Sequence, residues 1–372
     1  MPLFAVCDFT MGQSPSSDTY NTNGDGMPFY QGNADFGKRS PSPRVWCNSP
    51  KKTANEGDIL ISVRAPIGAI NIAAEQCCIG RGLAALAVRP DAATRDYLEH
   101  YLRYKRPELE RRGTGSTFKA VGKKIFAEMT LPIVSVDEQS EIAKKLNNAL
   151  ELQEEAASQI SMLDELVKSR FVEMFGDPIE NPKQLPIMRI DEIADVQTGA
   201  TPLRSNAAYY GGSIPWVKTG EVAAGLLEEA EETITELALQ ETNCKLFPAG
   251  TILVAMYGQG DTRGKAAILR YAAATNQACA AILLNEEYDA DFILAQLNLR
   301  YKDLRSRSLG GNQQNLSLKI IKAYELIVPS TEQQREFMAF VQQIDKLKFE
   351  TQQAIEKLQL LYDSLAQEYF GS

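Results

Sequence analysis

The chain has 372 residues, 44% hydrophobic and 23% charged, with a formal net charge of −9 and a single histidine. That composition suits two or three ordinary globular domains and excludes a disordered or fibrous chain. One histidine, His100, leaves no room for the usual triads, dyads or multi-histidine metal sites; in a stretch crowded with Tyr and Arg it reads as a surface or half-buried imidazole.

The N-terminal run Met1 to Val6 lacks a basic region and turns polar by Thr10, so no signal peptide is expected. No stretch approaches 18 apolar residues, so no membrane span is expected. Cys7, Cys47, Cys77, Cys78, Cys244 and Cys279 contain no C-x-x-C pair; they read as packed, reduced thiols in a cytoplasmic protein. Residues 58–64 and 83–88 read as short buried strands, residues 96–112 as one helix, and residues 113–119 as a glycine-rich polar loop. Residues 135–178 follow as a long helix. Ser135-x-x-Glu138 forms a capping-box pattern and Gly176 a stop. The order then recurs: strands at 251–255 and 280–284, a helix at 291–305, a loop at 310–315, and a second long helix at 329–372 opened by Ser330-x-x-Gln333 and closed by Gly371.

This recurrence organises the chain. At an offset of 195, Ile142 falls on Phe337, Leu146 on Val341, Ile160 on Ile355, Leu163 on Leu358 and Phe175-Gly176 on Phe370-Gly371. These apolar positions step by four and three, which is a heptad seam. Gln153 and Lys348 are polar rungs at the same repeat position; such a rung either fixes register or is locally loosened and solvated. Connectivity makes the two helices antiparallel if they pair. The fold class is therefore α+β: two α/β units separated by a pair of long antiparallel coiled-coil helices, with a pseudo-twofold internal repeat.

Charge is uneven. Residues 1–134 carry seventeen basic and thirteen acidic side chains, and residues 135–180 carry four and eleven. Basic brackets at 103–124 and 300–322 enclose the two glycine-rich loops. Each bracket alone reads as a solvated helix face, but recurrence in both units favours contact with duplex DNA, whose phosphates take Lys and Arg and whose base edges take Arg, Gln, Asn, Ser and Thr. No phosphate-binding P-loop, nucleophile elbow or methyltransferase box is present. Gly258-Gln-Gly260-Asp-Thr-Arg-Gly264 has the wrong spacing for a dinucleotide loop and reads as a turn or another DNA-facing loop.

Several blocks together carry a resemblance. These are Ile214-Pro-Trp-Val-Lys-Thr-Gly-Glu-Val222, Met11-Gly-Gln-Ser-Pro15, Pro28-Phe-Tyr-Gln-Gly-Asn-Ala-Asp-Phe-Gly37, Gly57-Asp-Ile-Leu-Ile-Ser-Val-Arg-Ala-Pro-Ile-Gly68 and the two Glu-Gln-led helices ending in Phe-Gly. Over essentially its whole length the chain resembles specificity (S) subunits of type I restriction–modification systems.

The resemblance implies target recognition domains at 1–134 and 179–328 and spacer helices at 135–178 and 329–372, reading a bipartite, asymmetric duplex site. It implies as partners two methyltransferase subunits that methylate adenine N6 and, where present, two restriction (motor–nuclease) subunits. S-adenosylmethionine, and ATP with Mg²⁺, would be bound by those partners; this chain would hold no metal, cofactor or catalytic residue. DNA readout is expected from Gln31, Asn33, Arg64, Arg81, Thr114, Ser116, Thr117, Lys119 and Lys123. In the second unit it is expected from Lys218, Thr219, Gln259, Arg263, Gln277, Gln313, Gln314, Asn315 and Lys319. The first unit begins almost at its first shared block, so a shortened N-terminal strand or helix is expected. The rival readings are a coiled-coil protein-interaction scaffold and the detached recognition half of a fused restriction–methylation enzyme.

Overall fold

Apolar runs bounded by glycine, asparagine and aspartate become the central strands of two sheets of identical connectivity. In the computed structural model, which describes residues 1–115, 119–225, 227, 229–258, 260–308 and 315–371, the chain divides into two units. One comprises Met1–Gln159 with Glu350–Ser372, and the other Ile160–Phe349. In the first, an antiparallel sheet runs in the order Cys7–Met11, Leu83–Val88, Ile59–Ser62, Ile70–Ile72. In the second, Ala194–Thr198, Cys279–Leu284, Ile252–Ala255 and Ala266–Ile268 repeat that order.

Each unit adds a second sheet containing one parallel pairing: Phe29 with Cys78 and Tyr30 with Ile79 in the first unit, Trp216 with Ala274 and Val217 with Thr275 in the second. The glycine shared by the Met11-Gly12 and Thr198-Gly199 blocks is explained here. A Cβ on Gly12 would lie 2.2 Å from the Gly80 carbonyl oxygen, and one on Gly199 would lie 1.8 Å from that of Thr275. Only glycine lets the two backbones pass.

Neither expected helix after the sheet is continuous. Arg95–Tyr104 is followed by Arg106–Arg112, and Ala290–Leu299 by Tyr301–Ser306. Pro107 accounts for a break in the first unit, since it lacks a backbone donor. The second unit has no proline there yet breaks at the equivalent residue, Arg300, so packing decides. In both units the loop between the last two sheet strands rests on the break, with Gly68 against Arg106 and Gly264 against Tyr301. The short N-terminus does not lose its helix: Leu3–Val6 is the counterpart of Ile190–Ile193. Only the strand before it shrinks, from the Ile187–Arg189 pairing with Glu325–Ile327 to a bridge between Pro2 and Thr130.

The long helices are Val136–Phe175 and Thr331–Phe370. Both capping boxes close. Ser135 N–H donates to Glu138 at 2.9 Å and Glu138 N–H to Ser135 Oγ at 3.3 Å; Ser330 and Gln333 exchange the same bonds at 3.2 and 3.4 Å. Gly176 takes φ +78°, whereas Gly371 closes by donating to Gln367 O at 2.9 Å.

Within the first unit, Gln153 meets Gln359 and Lys145 meets Tyr369; within the second, Asp164 meets Lys348 and Arg170 meets Glu336. In each pairing the number rises along one helix as it falls along the other, so the helices are antiparallel. Of the expected seam, Leu146 and Phe337 are buried, Ile142 and Val341 are half-buried, and Ile160, Leu163, Ile355 and Leu358 are half-buried between exposed neighbours.

In each unit the α/β part packs on that unit's own stretch of the two helices. Ala143, Leu146, Ala149, Tyr362, Ala366 and Phe370 join the first unit's core. In the second, Phe171, Phe175, Phe292 and Phe337 form an aromatic cluster, with Phe171–Phe337 centroids 5.4 Å apart at 84°.

Candidate nucleic-acid interface

In each unit the chain leaves the parallel strand pair through a turn whose amides are tied to a buried carboxylate. Asp35 accepts Gln31 N–H at 2.8 Å and Gly32 N–H at 3.4 Å. Glu221 accepts Lys218 N–H at 2.8 Å and Glu231 N–H at 2.9 Å. These carboxylates are 9% and 8% exposed. A buried ionised group needs such partners, and the bonds fix the backbone that presents Gln31 and Asn33 in one unit and Lys218 and Thr219 in the other.

A second loop flanks each turn. Gly80 and Gly82 N–H donate to Tyr30 and Gln31 carbonyls at 2.8 and 3.1 Å, which places exposed Arg81 beside the first turn. Asn276 N–H donates to Val217 O at 3.3 Å, which places exposed Gln277 beside the second. The contacts behind these loops also correspond: Ser14 Oγ accepts Arg81 N–H, and Thr201 Oγ donates to Gln277 Oε1 at 2.5 Å.

The strand-connecting loops meet the segment after the glycine-rich loop in the same way in both units. Val121 N–H donates to Val63 O at 2.9 Å, and Leu316 N–H to Met256 O at 3.0 Å. Arg64, Thr114 and Lys119 are thus gathered around Ala120, which bridges to both Arg64 and Thr114. In the second unit Asn315 adjoins the base of the loop bearing Arg263, whose carbonyl accepts from Arg305 at 3.3 Å. Arg305 and Lys265 lie over the Tyr301 ring at 5.9 and 4.6 Å.

Gln31, Asn33 and Arg64 line one cleft of about 510 Å³. Lys123 is not gathered there; it lies 5.4 Å over the Phe4 ring. Lys319 is exposed on Leu318–Lys322. Ser116, Thr117, Gln259, Gln313 and Gln314 lie outside the described residues.

Three expectations need correction. His100 is neither on the surface nor half-buried. It is 1% exposed, with Nδ1 2.9 Å from Tyr362 Oη and Nε2 2.9 Å from Asn147 Oδ1. The basic brackets are also weaker than their residue counts, because acids pair with the cations: at helical spacing Arg103 with Glu99, Lys105 with Glu108, Arg106 with Glu110, Arg112 with Glu108 and Arg307 with Asp303, and across the fold Arg112 with Glu128. Lys218, finally, is held by Glu231 at 3.0 Å and Glu232 at 2.9 Å. Acids 13 and 14 residues further along the chain offset its charge.

The buried acids Asp35 and Glu221, and Arg44 on the cleft, were missed as site residues. The signal for the acids was present, since both lie in the blocks that carry the resemblance. The six cysteines are free and buried, with burial pushing Cys7, Cys77 and Cys279 up to about 12. Among the described residues no cluster of His, Cys, Asp and Glu could hold a metal, and no helix is long and apolar enough to cross a membrane.

Comparison with known proteins agrees with this architecture. Residues 2–161 and 182–360 both match the type I restriction modification DNA specificity domain. The MjaIX specificity subunit of Methanocaldococcus jannaschii is 24% identical over 330 residues, 83% of this chain and 76% of that protein. The MjaX specificity subunit from the same organism is 42% identical over 153 residues, which is 40% of this chain but only 36% of that protein's length. Among solved structures, the S subunit from M. genitalium aligns with a TM-score of 0.54 at 18% identity, covering 100% of this chain and 95% of that one. A chain from a structural study of type I complex assembly and conformational transition aligns at 0.68 and 16% identity, covering 100% and 96%. With both α/β units inside the matched segments, the chain belongs to the type I restriction–modification specificity family.

Proposed function

We propose that this chain reads a bipartite, asymmetric duplex sequence, one half per α/β unit, and positions two adenine-N6 methyltransferase subunits and, where present, two restriction subunits. It works in the cytoplasm and supplies recognition without chemistry. S-adenosylmethionine, and ATP with Mg²⁺, belong to the partners.

One observation carries the reading: a duplicated scaffold presents unlike side chains at equivalent places. Gln31 and Asn33 answer to Lys218 and Thr219, Arg81 to Gln277, and the Arg64 loop to the Arg263 loop. Similar frames with different donors and acceptors suit two half-sites of different sequence, because base identity is read by side-chain edges while the frame and its phosphate contacts set orientation.

The test is genome-wide mapping of N6-methyladenine in cells with the chain, without it, and with residues 186–328 exchanged for the equivalent segment of another family member. A two-part motif should vanish on deletion, and the exchange should rewrite one half only. An unchanged methylome, or both halves rewritten together, would refute the reading.

A further inference from the structure

Arg44 lies outside the sequence blocks that carry the resemblance, yet its placement on the first unit's cleft is built rather than incidental. Its Nε and Nη2 donate to Asp35 Oδ1 at 3.1 and 2.5 Å, and Nη2 also donates to Ala34 O at 3.1 Å. Asp35 is 9% exposed and spends its other oxygen on the Gln31 and Gly32 amides. The same carboxylate therefore sets both the turn and the guanidinium. Arg44 remains 64% exposed, and among the described residues no protein group accepts from its Nη1. Gln31, Asn33 and Arg64 line the same cleft.

The cations beside the second unit's equivalent turn are differently placed. Arg204 is 4.7 and 4.9 Å from the Tyr210 and Trp216 rings and shares Glu232 with Lys218. In the first unit the oriented guanidinium instead lines a cleft with Gln31, Asn33 and Arg64.

Resting on the reading above, we propose that Arg44 is a specificity-determining residue that recognises a guanine in the half-site read by the first unit. Asp35 and Ala34 leave Nη1 as the guanidinium's free donor, and guanine is the base whose major-groove edge offers acceptors at both O6 and N7 with no competing donor. An arginine whose rotamer is locked by a buried carboxylate can discriminate such an edge, whereas a mobile one contributes mainly charge. Asp35 is its positioning residue.

The experiment expresses Arg44→Ala and Arg44→Lys chains with their partner subunits, maps N6-methyladenine genome-wide, and measures duplex binding by the assembled complex across a salt series. The expected result is that both variants admit other bases at one G·C position, with discrimination there falling about 10-fold or more. That position should lie in the half that survives exchange of residues 186–328. Arg44→Lys keeps the charge, so its salt dependence should match the wild type.

Phosphate oxygens present similar acceptors, and that alternative has its own signature. If Arg44→Ala weakens all sequences alike, lowers the salt slope by about 0.9 and leaves every letter of the motif intact, Arg44 is a backbone contact and the proposal is overturned. A relaxed position in the other half overturns it too, as does an unchanged motif from Arg44→Lys with wild-type melting, even if Arg44→Ala fails to fold. Absence of any two-part motif with the wild-type chain would refute the underlying reading, and this one with it.

Discussion

His100 shows what a lone histidine does when chemistry does not need it. Asn147 Nδ2 donates to Asp96 at 3.2 Å, which leaves Asn147 Oδ1 as the acceptor for His100 Nε2–H. His100 Nδ1 must then accept from Tyr362 Oη. The neutral imidazole satisfies both long helices and the Arg95–Tyr104 helix at once. Burial holds its pKa below the ordinary 6.5, against the Asn147 bond, which favours the charged form. The sign follows directly. Above 6.5 the ring is neutral in both states and the network is intact; below it the unfolded chain takes up a proton that the native site resists. Stability of the first unit should therefore decline as pH falls below 6.5, and His100→Gln should remove that component of the slope. His100→Ala should cost about 2–4 kcal/mol at neutral pH, because it strands a buried hydroxyl and carbonyl and leaves a cavity. Hydrogen exchange of residues 95–104 across pH measures both; an unaltered slope in His100→Gln would show that other groups dominate.

The polar rungs belong to the scale of the helix pair. Offset by 195, Gln153 becomes Lys348 and Asp164 becomes Gln359, so the Gln153–Gln359 bond at 3.3 Å and the Lys348–Asp164 pair at 2.6 Å are one rung written twice. Both cross between the helices. Lys348 is 25% and Asp164 53% exposed, and a pair so open to water contributes at most about 1 kcal/mol. Its larger effect is to penalise any slip of register that would set Lys348 against an apolar rung. Lys348→Asp alone should destabilise the second unit, and Lys348→Asp with Asp164→Lys should recover most of that loss, a coupling of about 0.5–1 kcal/mol in a double-mutant cycle. Strictly additive losses would assign the rung to solvent.

The helices were readable because a heptad seam and capping boxes are local patterns. Pro107 marks the first helix break in the sequence, but nothing local marks the one at Arg300, where the loop carrying Gly264 rests on Tyr301. The turns at Gln31–Asn33 and Lys218–Thr219 stand between these cases. Their side chains were visible in the repeated blocks, but what holds them could be seen only once Asp35 was folded against Arg44 and Lys218 against Glu231 and Glu232.

At the scale of the chain, sequence order and folding unit disagree, and this has a measurable consequence. The first α/β part contains the N-terminus, yet its core is completed by Tyr362, Ala366 and Phe370, which are 7%, 1% and 1% exposed. Phe370 sets its ring against Tyr97 and Tyr101 at centroid distances of 5.2 and 5.8 Å. The second unit, Ile160–Phe349, uses none of these residues. Ending the chain at Phe349 should therefore unfold its beginning and spare its middle. Loss of each large buried aromatic costs about 3–5 kcal/mol, so losing Tyr362 and Phe370 together removes on the order of 6–10 kcal/mol, comparable to the about 5–15 kcal/mol that holds a typical domain. Hydrogen exchange on the truncated chain should show amide protection lost in Cys7–Met11, Ile59–Ser62 and Leu83–Val88 and retained in Ala194–Thr198, Ile252–Ala255 and Cys279–Leu284. Phe370→Ala in the intact chain should move the same three strands in the same direction by a smaller amount. Protection surviving in the first group would mean that the first α/β part closes its core without the C-terminal helix; loss in both groups would mean that the two units fold as one.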